Sequence, residues 1–477
     1  MAREKACLLP SPTVSEARPA TRRLKLRAFV SIVAFGLALL CLIALPSSRD
    51  HWPHPEFLSA GVPTKVQKRW GQYAPWFPAG RYEHPPRECK ITQVNILQRH
   101  GARYPDEEDS YKTAAEHLMS AKEFRDSNLQ FLKHYKYQLQ EEALTPFGAK
   151  QSFESGTHAF KRYAHLVTPH LLPFVRASGK GRVIDSARNW TIGFSIASDH
   201  RVHPTLEQVL SESVNNTLNN DCPNASEGEK EKNTWLSVFS PPILKRLRKA
   251  APKANINEQD VHDLMALCPF ETIALQKTSP FCSLFTANEF ESFEYFGDVE
   301  KYYKTGYGNP LGPIQGVGYV NELLARLTGQ PVQDKTQHNH SLPFPLDRTM
   351  YVDFTHENTQ VAVFAAMGLF NVPEAPDPKK MKQSPKDREW VASRMVPFSG
   401  RMVVEKLSCE SDVNEAEESQ GGGEYVRIFV NDAVQPLEFC GASRTGKNKY
   451  LCPLDSFVES QSYARRNGDG DFERCYN

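Results

Sequence analysis

Two short runs rich in β-branched and apolar residues stand far apart in the chain, and both read as strands. They are Ile91-Thr92-Gln93-Val94-Asn95-Ile96-Leu97 and Thr349-Met350-Tyr351-Val352-Asp353-Phe354-Thr355. Each stops just short of a histidine, His100 or His356. After His356, residues 361–370 are apolar at helical spacing, with Gly368 near their end. Between the two strands, Thr145-Pro146 predicts a helix start, a cap followed by proline in the first turn, and Phe153, Phe160, Tyr163 and Val167 follow at roughly helical spacing. Strand, helices, strand, helix is the order of an α/β sheet. The stretch 195–340 carries few strand signals and many helical ones, 317–327 among them, and is expected to form a mainly helical insertion domain. Residues 70–194 and 341–477 then form the α/β domain. Near the C-terminus, 425–430, Asn431-Asp432 and 433–437 read as a hairpin. Residues 409–420 are acidic, run into Gly421-Gly422-Gly423 and read as a surface loop.

Residues 28–45, AFVSIVAFGLALLCLIAL, hold no charge, and Arg22, Arg23, Lys25 and Arg27 precede them. That length reaches across a bilayer core, and the basic flank stays cytoplasmic, so the rest of the chain is translocated. The expectation is a cytoplasmic tail (1–27), a transmembrane signal anchor (28–45) and a Pro-rich stem (46–69), giving a type II membrane protein with a luminal or extracellular body. A cleaved signal peptide followed by secretion is the rival, because Ser47 and Ser48 follow the apolar run. Of the 10 cysteines, Cys7 and Cys41 fall in the tail and anchor, and the rest lie beyond them. In an oxidising compartment these are expected as disulfides, although spacing alone cannot choose the pairing. Sequons at Asn189, Asn215, Asn224 and Asn339 fit a glycosylated surface. The net charge of +1 and the single small basic cluster at 245–249 argue against a nucleic-acid partner.

Arg99-His100-Gly101-Ala102-Arg103 sits at the carboxyl end of the first strand, where open α/β sheets bind ligands. Paired guanidinium forks match phosphate or carboxylate oxygens. They would repel a divalent cation, so no metal and no cofactor is expected. Gly101 is expected to let backbone approach the anion. The imidazole of His100 can attack phosphorus and form a covalent intermediate. The bland alternative is a capping or core histidine with surface arginines. A second constellation, Thr355-His356-Glu357-Asn358, opens a helix whose free N–H groups favour negative charge. If both strand ends converge, His356 binds phosphoryl oxygens and Glu357 protonates the leaving alkoxide.

Arg99-His100-Gly101-Ala102-Arg103-Tyr104-Pro105 together with His356-Glu357 resembles the histidine acid phosphatases, closest to their fungal phytase branch. Trp70-Gly71-Gln72-Tyr73, Leu144-Thr145-Pro146-Phe147-Gly148, Phe174-Val175-Arg176-Ala177-Ser178, Ser279-Pro280-Phe281-Cys282 and Gly308-Asn309-Pro310-Leu311-Gly312-Pro313 extend the resemblance over most of residues 70–475. The resemblance implies a phosphoglycerate-mutase-like large α/β domain beside a smaller helical one, with the active site between them. It makes His100 the nucleophile, with Arg99, Arg103, Arg182 and His356 holding the phosphoryl oxygens and Gln72 and Tyr73 lining the substrate cleft. It also implies the bridges Cys89–Cys409, Cys222–Cys475, Cys268–Cys282 and Cys440–Cys452. The implied reaction is hydrolysis of a phosphomonoester, phytate or another inositol phosphate, in acid. A broad-specificity acid phosphatase and a non-catalytic phosphate-binding surface protein are the alternatives.

The sequence departs from that branch in two places. The branch carries His-Asp at the second motif where this chain has His356-Glu357, and one added methylene shifts a carboxyl by roughly an ångström. The substrate rim also exchanges lysines for Asp106-Glu107-Glu108-Asp109, leaving Lys301 and Lys304 as candidate phosphate contacts. Fewer cations in a cleft mean less attraction for a multiply phosphorylated substrate.

Overall fold

Hydrophobic strands stack side by side in one mixed sheet in the computed structural model, which describes residues 60–106, 110–382, 388–410, 422–442 and 450–477. The signal anchor and the tail lie outside the described residues, as do Glu107, Glu108, Asp109 and most of the acidic loop after Cys409. Among the described residues no helix is long and apolar enough to cross a membrane.

The strands are β1 (Cys89–Arg99), β2 (Phe174–Ser178), β3 (Leu206–Leu210), β4 (Met350–Thr355), β5 (Arg401–Cys409), β6 (Gly423–Val430), β7 (Ala433–Val434) and β8 (Cys452–Pro453). Their order is β3-β2-β4-β1-β5-β6-β7, with β8 on β6. The half β3-β2-β4-β1 is parallel, and β5 and β6 add antiparallel strands beyond β1. Parallel strands are buried on both faces. Accordingly β2 and β4 are buried along their whole length, which removes the alternation that marks a half-exposed strand and explains why Phe174–Ser178 gave no strand signal. The expected strands at 91–97 and 349–355, the helix start at Thr145-Pro146 and the hairpin at 425–437 are all present. Thr145 Oγ1 caps its helix by accepting from Gly148 N at 3.0 Å, and Asn431 and Asp432 both take the left-handed conformation of a tight hairpin turn.

The helical layer differs from the expected block 195–340. Helices Glu229–Ala250, Glu258–Leu275 and Ala287–Lys304 share one apolar cluster with Ser110–Met119, which comes from outside that stretch. Two elements inside the stretch join the sheet instead. Leu206–Leu210 is its edge strand, and Val317–Thr328 packs beneath it with Glu357–Met367. The strand was hidden by its length and by Glu207 and Gln208 within it. The disulfides are Cys89–Cys409, Cys222–Cys475, Cys268–Cys282 and Cys440–Cys452, the pairing that the family resemblance implies.

Behind the site, β2 and β4 carry opposite charges on paired positions, Arg176 and Asp353. Arg176 Nε donates to Asp353 Oδ1 at 2.6 Å, Arg326 Nη1 to Asp353 Oδ2 at 2.5 Å, and Arg176 Nη2 to Glu322 Oε2 at 2.6 Å. All four side chains are buried, so each charge depends on its partners.

Candidate active site

Every parallel strand delivers a polar residue at its carboxyl end. His100 follows β1, Arg182 lies in the first turn of the helix after β2, Glu212 follows β3, and His356 and Glu357 follow β4. Register does the rest. Arg99 is paired with Thr355 across β1 and β4, and His100 N donates to Thr355 O at 3.0 Å, so the two histidines emerge side by side with ring centroids 5.6 Å apart.

The loop carrying His100 is fixed from below. A Cβ on Gly101 would meet Gly148 O at 2.2 Å, and one on Gly148 would meet Ala102 O at 2.0 Å. Gly101 therefore serves close packing of the loop on the helix Pro146–Tyr163 rather than approach to the anion. Gly101 N donates to Ser186 Oγ at 3.0 Å and Ala102 N to Gln151 Oε1 at 2.9 Å.

His100 is fully buried, and its Nδ1–H donates to Gly101 O at 2.8 Å. Because a carbonyl only accepts, this bond assigns the proton to Nδ1 and leaves Nε2 with its lone pair. Burial, and then Arg99, Arg182 and His356, push the imidazole well below its ordinary pKa. A lowered pKa favours the neutral ring, whose Nε2 lone pair is chemically able to act as a nucleophile.

Arg99 Nη1 donates to Gln72 O at 2.5 Å and Val396 O at 2.8 Å, while its guanidinium lies 4.5 Å over the ring of Phe398. Burial lowers its pKa to about 10, against the opposing pull of Glu357. Arg103 Nη2 donates to Asp106 Oδ2 at 2.8 Å, and Arg182 Nη1 is 3.4 Å from Glu142 Oε2. Arg99 Nη2, Arg103 Nε, Arg182 Nε and His100 Nε2 are buried and have no protein hydrogen-bond partner.

Glu357 is the first residue of its helix. Its Oε2 lies 3.0 Å from Arg99 Nε and 3.9 Å from His100 Nε2, and its Oε1 lies 3.6 Å from Lys301 Nζ. Burial alone would favour the protonated carboxyl, but Arg99, Lys301, His100 and Arg103 outweigh it and hold the pKa well below the ordinary range. Lys301 is buried and also donates to Asn358 Oδ1 at 2.8 Å. Gln72 Nε2 donates to Glu300 Oε2 at 2.9 Å. Tyr73 packs on Phe270 and Phe398, the latter touching His100 from the other side. Lys304 pairs instead with Glu227.

Glu212 was not foreseen. Its Oε1 accepts from His356 Nε2 at 2.7 Å, from Ser178 Oγ at 2.5 Å and from Lys180 N at 3.2 Å. Despite burial, those bonds bring its pKa down to about 2. A carboxylate facing Nε2 requires a proton there, so Glu212 selects the nitrogen that bears the proton and orients the ring of His356. Reading LEQVL as a strand would have put Glu212 just past a strand end, as His100 and His356 are. Among the described residues no group of His, Cys, Asp and Glu could hold a metal ion.

Residues 90–431 match the model of the histidine phosphatase superfamily (branch 2). The chain is 39% identical over 426 residues to Phytase A of Arthroderma benhamiae, covering 84% of this chain and 91% of that one. It is 37% identical over 434 residues to Phytase A of Aspergillus oryzae, covering 85% and 90%. Among solved structures, the D. castellii phytase superposes with a TM-score of 0.69 at 23% identity, over 87% of this chain and 88% of that one. A Bifidobacterium longum multiple inositol polyphosphate phosphatase, in complex with inositol hexasulfate, gives 0.59 at 13% identity, over 84% and 98%.

Proposed function

The chain belongs to the histidine phosphatase superfamily (branch 2), and on that premise we propose that it hydrolyses phosphomonoesters of inositol, phytate among them, through a phosphohistidine at His100. One observation carries the reading. Buried nitrogens of Arg99, Arg103 and Arg182 and the lone-pair-bearing Nε2 of His100 all lack a protein hydrogen-bond partner, and Arg99 and Arg182 are near enough to His100 to lower its pKa, a set of donors and nucleophile that suits a phosphoryl group.

The bond to the leaving oxygen breaks as His100 Nε2 attacks phosphorus, and the three remaining oxygens lie among the guanidinium groups and His356. Glu357 gives its proton to the departing alkoxide. Water then attacks the phosphohistidine, passing a proton back to Glu357, and releases phosphate and neutral His100. The low pKa of Glu357 is compatible with this cycle because a phosphate dianion offsets the cations that keep the carboxyl ionised in the free enzyme. His100, held neutral, stays nucleophilic in mild acid, where Glu357 gains its proton most readily.

The second reading, a broad-specificity acid phosphatase, is favoured by the acidic partners of Arg103 and Arg182. Phosphate release by the full-length protein from phytate and from a simple aryl phosphate separates the two, with His100→Ala as control. Residues 28–45 anchor the protein with its body on the non-cytosolic side. The disulfides support the non-cytosolic side, for an anchored and a secreted body alike, because such bonds persist in oxidising compartments. Sequencing the mature N-terminus distinguishes the anchor from a cleaved signal. Asn224 and Asn339 are the exposed sequon residues and the ones best placed to carry a glycan.

A further inference from the structure

Two of the arginines that face the anion site carry an acidic partner from one short pairing of backbone. Tyr104 N donates to Ala143 O at 3.0 Å, Glu142 N to Pro105 O at 2.6 Å and Thr145 N to Ala102 O at 2.9 Å. These bonds lay residues 142–145 along the loop that carries Arg103. They hold Glu142 in the left-handed conformation at φ 52°, which a non-glycine residue adopts only where its surroundings impose it. The result is a carboxylate at each arginine. Asp106 Oδ2 is 2.8 Å from Arg103 Nη2, and Glu142 Oε2 is 3.4 Å from Arg182 Nη1 and 3.8 Å from Lys180 Nζ. Both carboxylates are partly exposed, with side chains 54% and 28% accessible, so they lie on the solvent side of two arginines that are themselves largely buried.

We propose that Asp106 and Glu142 are specificity-determining residues that weaken binding of substrates carrying several phosphates relative to simple phosphomonoesters. The inference rests on the phosphatase reading above. A single scissile phosphate would meet Arg99 Nη2, Arg103 Nε and Arg182 Nε, buried donors that neither carboxylate occupies. The additional phosphates of phytate must sit further out, beside Asp106 and Glu142, where like charges repel through partly screened solvent. Lys180, the one cation of that outer rim whose ammonium group reaches Glu142, is diverted to pairing with it.

The test compares kcat/KM for phytate and for an aryl phosphate in the full-length protein and in Asp106→Asn, Glu142→Gln and the double variant. The expected result is a rise in the phytate-to-aryl ratio of about two- to fivefold for each single variant, the range of a partly exposed charge interaction. The rise should lie in KM for phytate and shrink as ionic strength increases. Equal changes for both substrates, an unchanged ratio, or a salt-independent change would overturn the inference while leaving the phosphatase reading intact. A wild-type protein that releases phosphate from neither substrate would overturn both. Glutamine keeps the length of Glu142 and asparagine that of Asp106, and unchanged melting temperatures in the variants separate loss of charge from loss of fold.

Discussion

His100 and His356 face each other across 5.6 Å because the residues before them, Arg99 and Thr355, are paired in adjacent parallel strands. One histidine is neutral with a free Nε2, and the other is proton-bearing at Nε2 through Glu212. Two residues of one type thus carry their ring protons on different nitrogens in a single pocket, as the proposed nucleophile and phosphate ligand require.

Glu357→Gln should lower kcat on a phosphomonoester with a poor alkoxide leaving group by about 10²-fold or more. An activated aryl ester, whose leaving group needs no proton, should be affected far less. A full retained rate on the poor leaving group would reject the proton-donor role. Glu357→Asp tests the added methylene: the carboxyl retracts from its 3.9 Å approach to His100 Nε2, so kcat should fall rather than rise, by about ten- to a hundredfold.

The pH dependence follows from two depressed pKa values. His100 titrates below its ordinary value, so protonation does not silence the nucleophile until the solution is well acid. Glu357 must be protonated in the complex, so kcat on a poor leaving group falls as pH rises. Rate profiles should peak in acid, and the alkaline limb should flatten in Glu357→Gln. A maximum above neutral pH would contradict this.

Glu212→Gln removes the carboxylate that orients His356. kcat/KM should fall about tenfold or more, with the dependence of rate on pH altered, while the melting temperature stays close to that of the wild type. Loss of stability in proportion to activity would instead make Glu212 a structural residue.

Most of this site was legible from residue order. His100 and His356 declared themselves because each ends a strongly apolar strand, and Arg99, Arg103, Glu357 and Lys301 lie near those strands or within a recognisable segment. Glu212 and Glu142 were not legible, since one follows a short edge strand with two polar residues and the other reaches Arg182 only through backbone pairing between 102–105 and 142–145. The purpose of Gly101 was misread for a related reason. Its neighbour is Gly148, and only the fold brings those two backbones together. The helical layer was misplaced because Ser110–Met119 joins helices more than a hundred residues later through apolar contacts that carry no local signal.

Asp353→Asn should destabilise the protein by about 3–5 kcal/mol at neutral pH, because it removes the carboxylate to which buried Arg326 donates and leaves Arg176 with Glu322 alone. Asp353 has a pKa below its ordinary value in the fold, through burial opposed and outweighed by Arg176 and Arg326. Its contribution is therefore complete above the unfolded-state pKa of about 4 and disappears as pH falls through the lower folded value. Denaturant unfolding at neutral pH and at the lowest pH where the protein folds should show the gap between wild type and variant narrowing in acid. A gap that widens would contradict the assignment.

The proposed catalysis is covalent and rests on one imidazole. Mixing the protein with substrate, quenching in alkali within a turnover and mapping the phosphorylated peptide measures it directly. A phosphoryl group is expected on residue 100, absent in His100→Ala and accumulating in Glu357→Gln with an activated aryl ester. Phosphate on any other side chain, or turnover by His100→Ala at the wild-type rate, would contradict it.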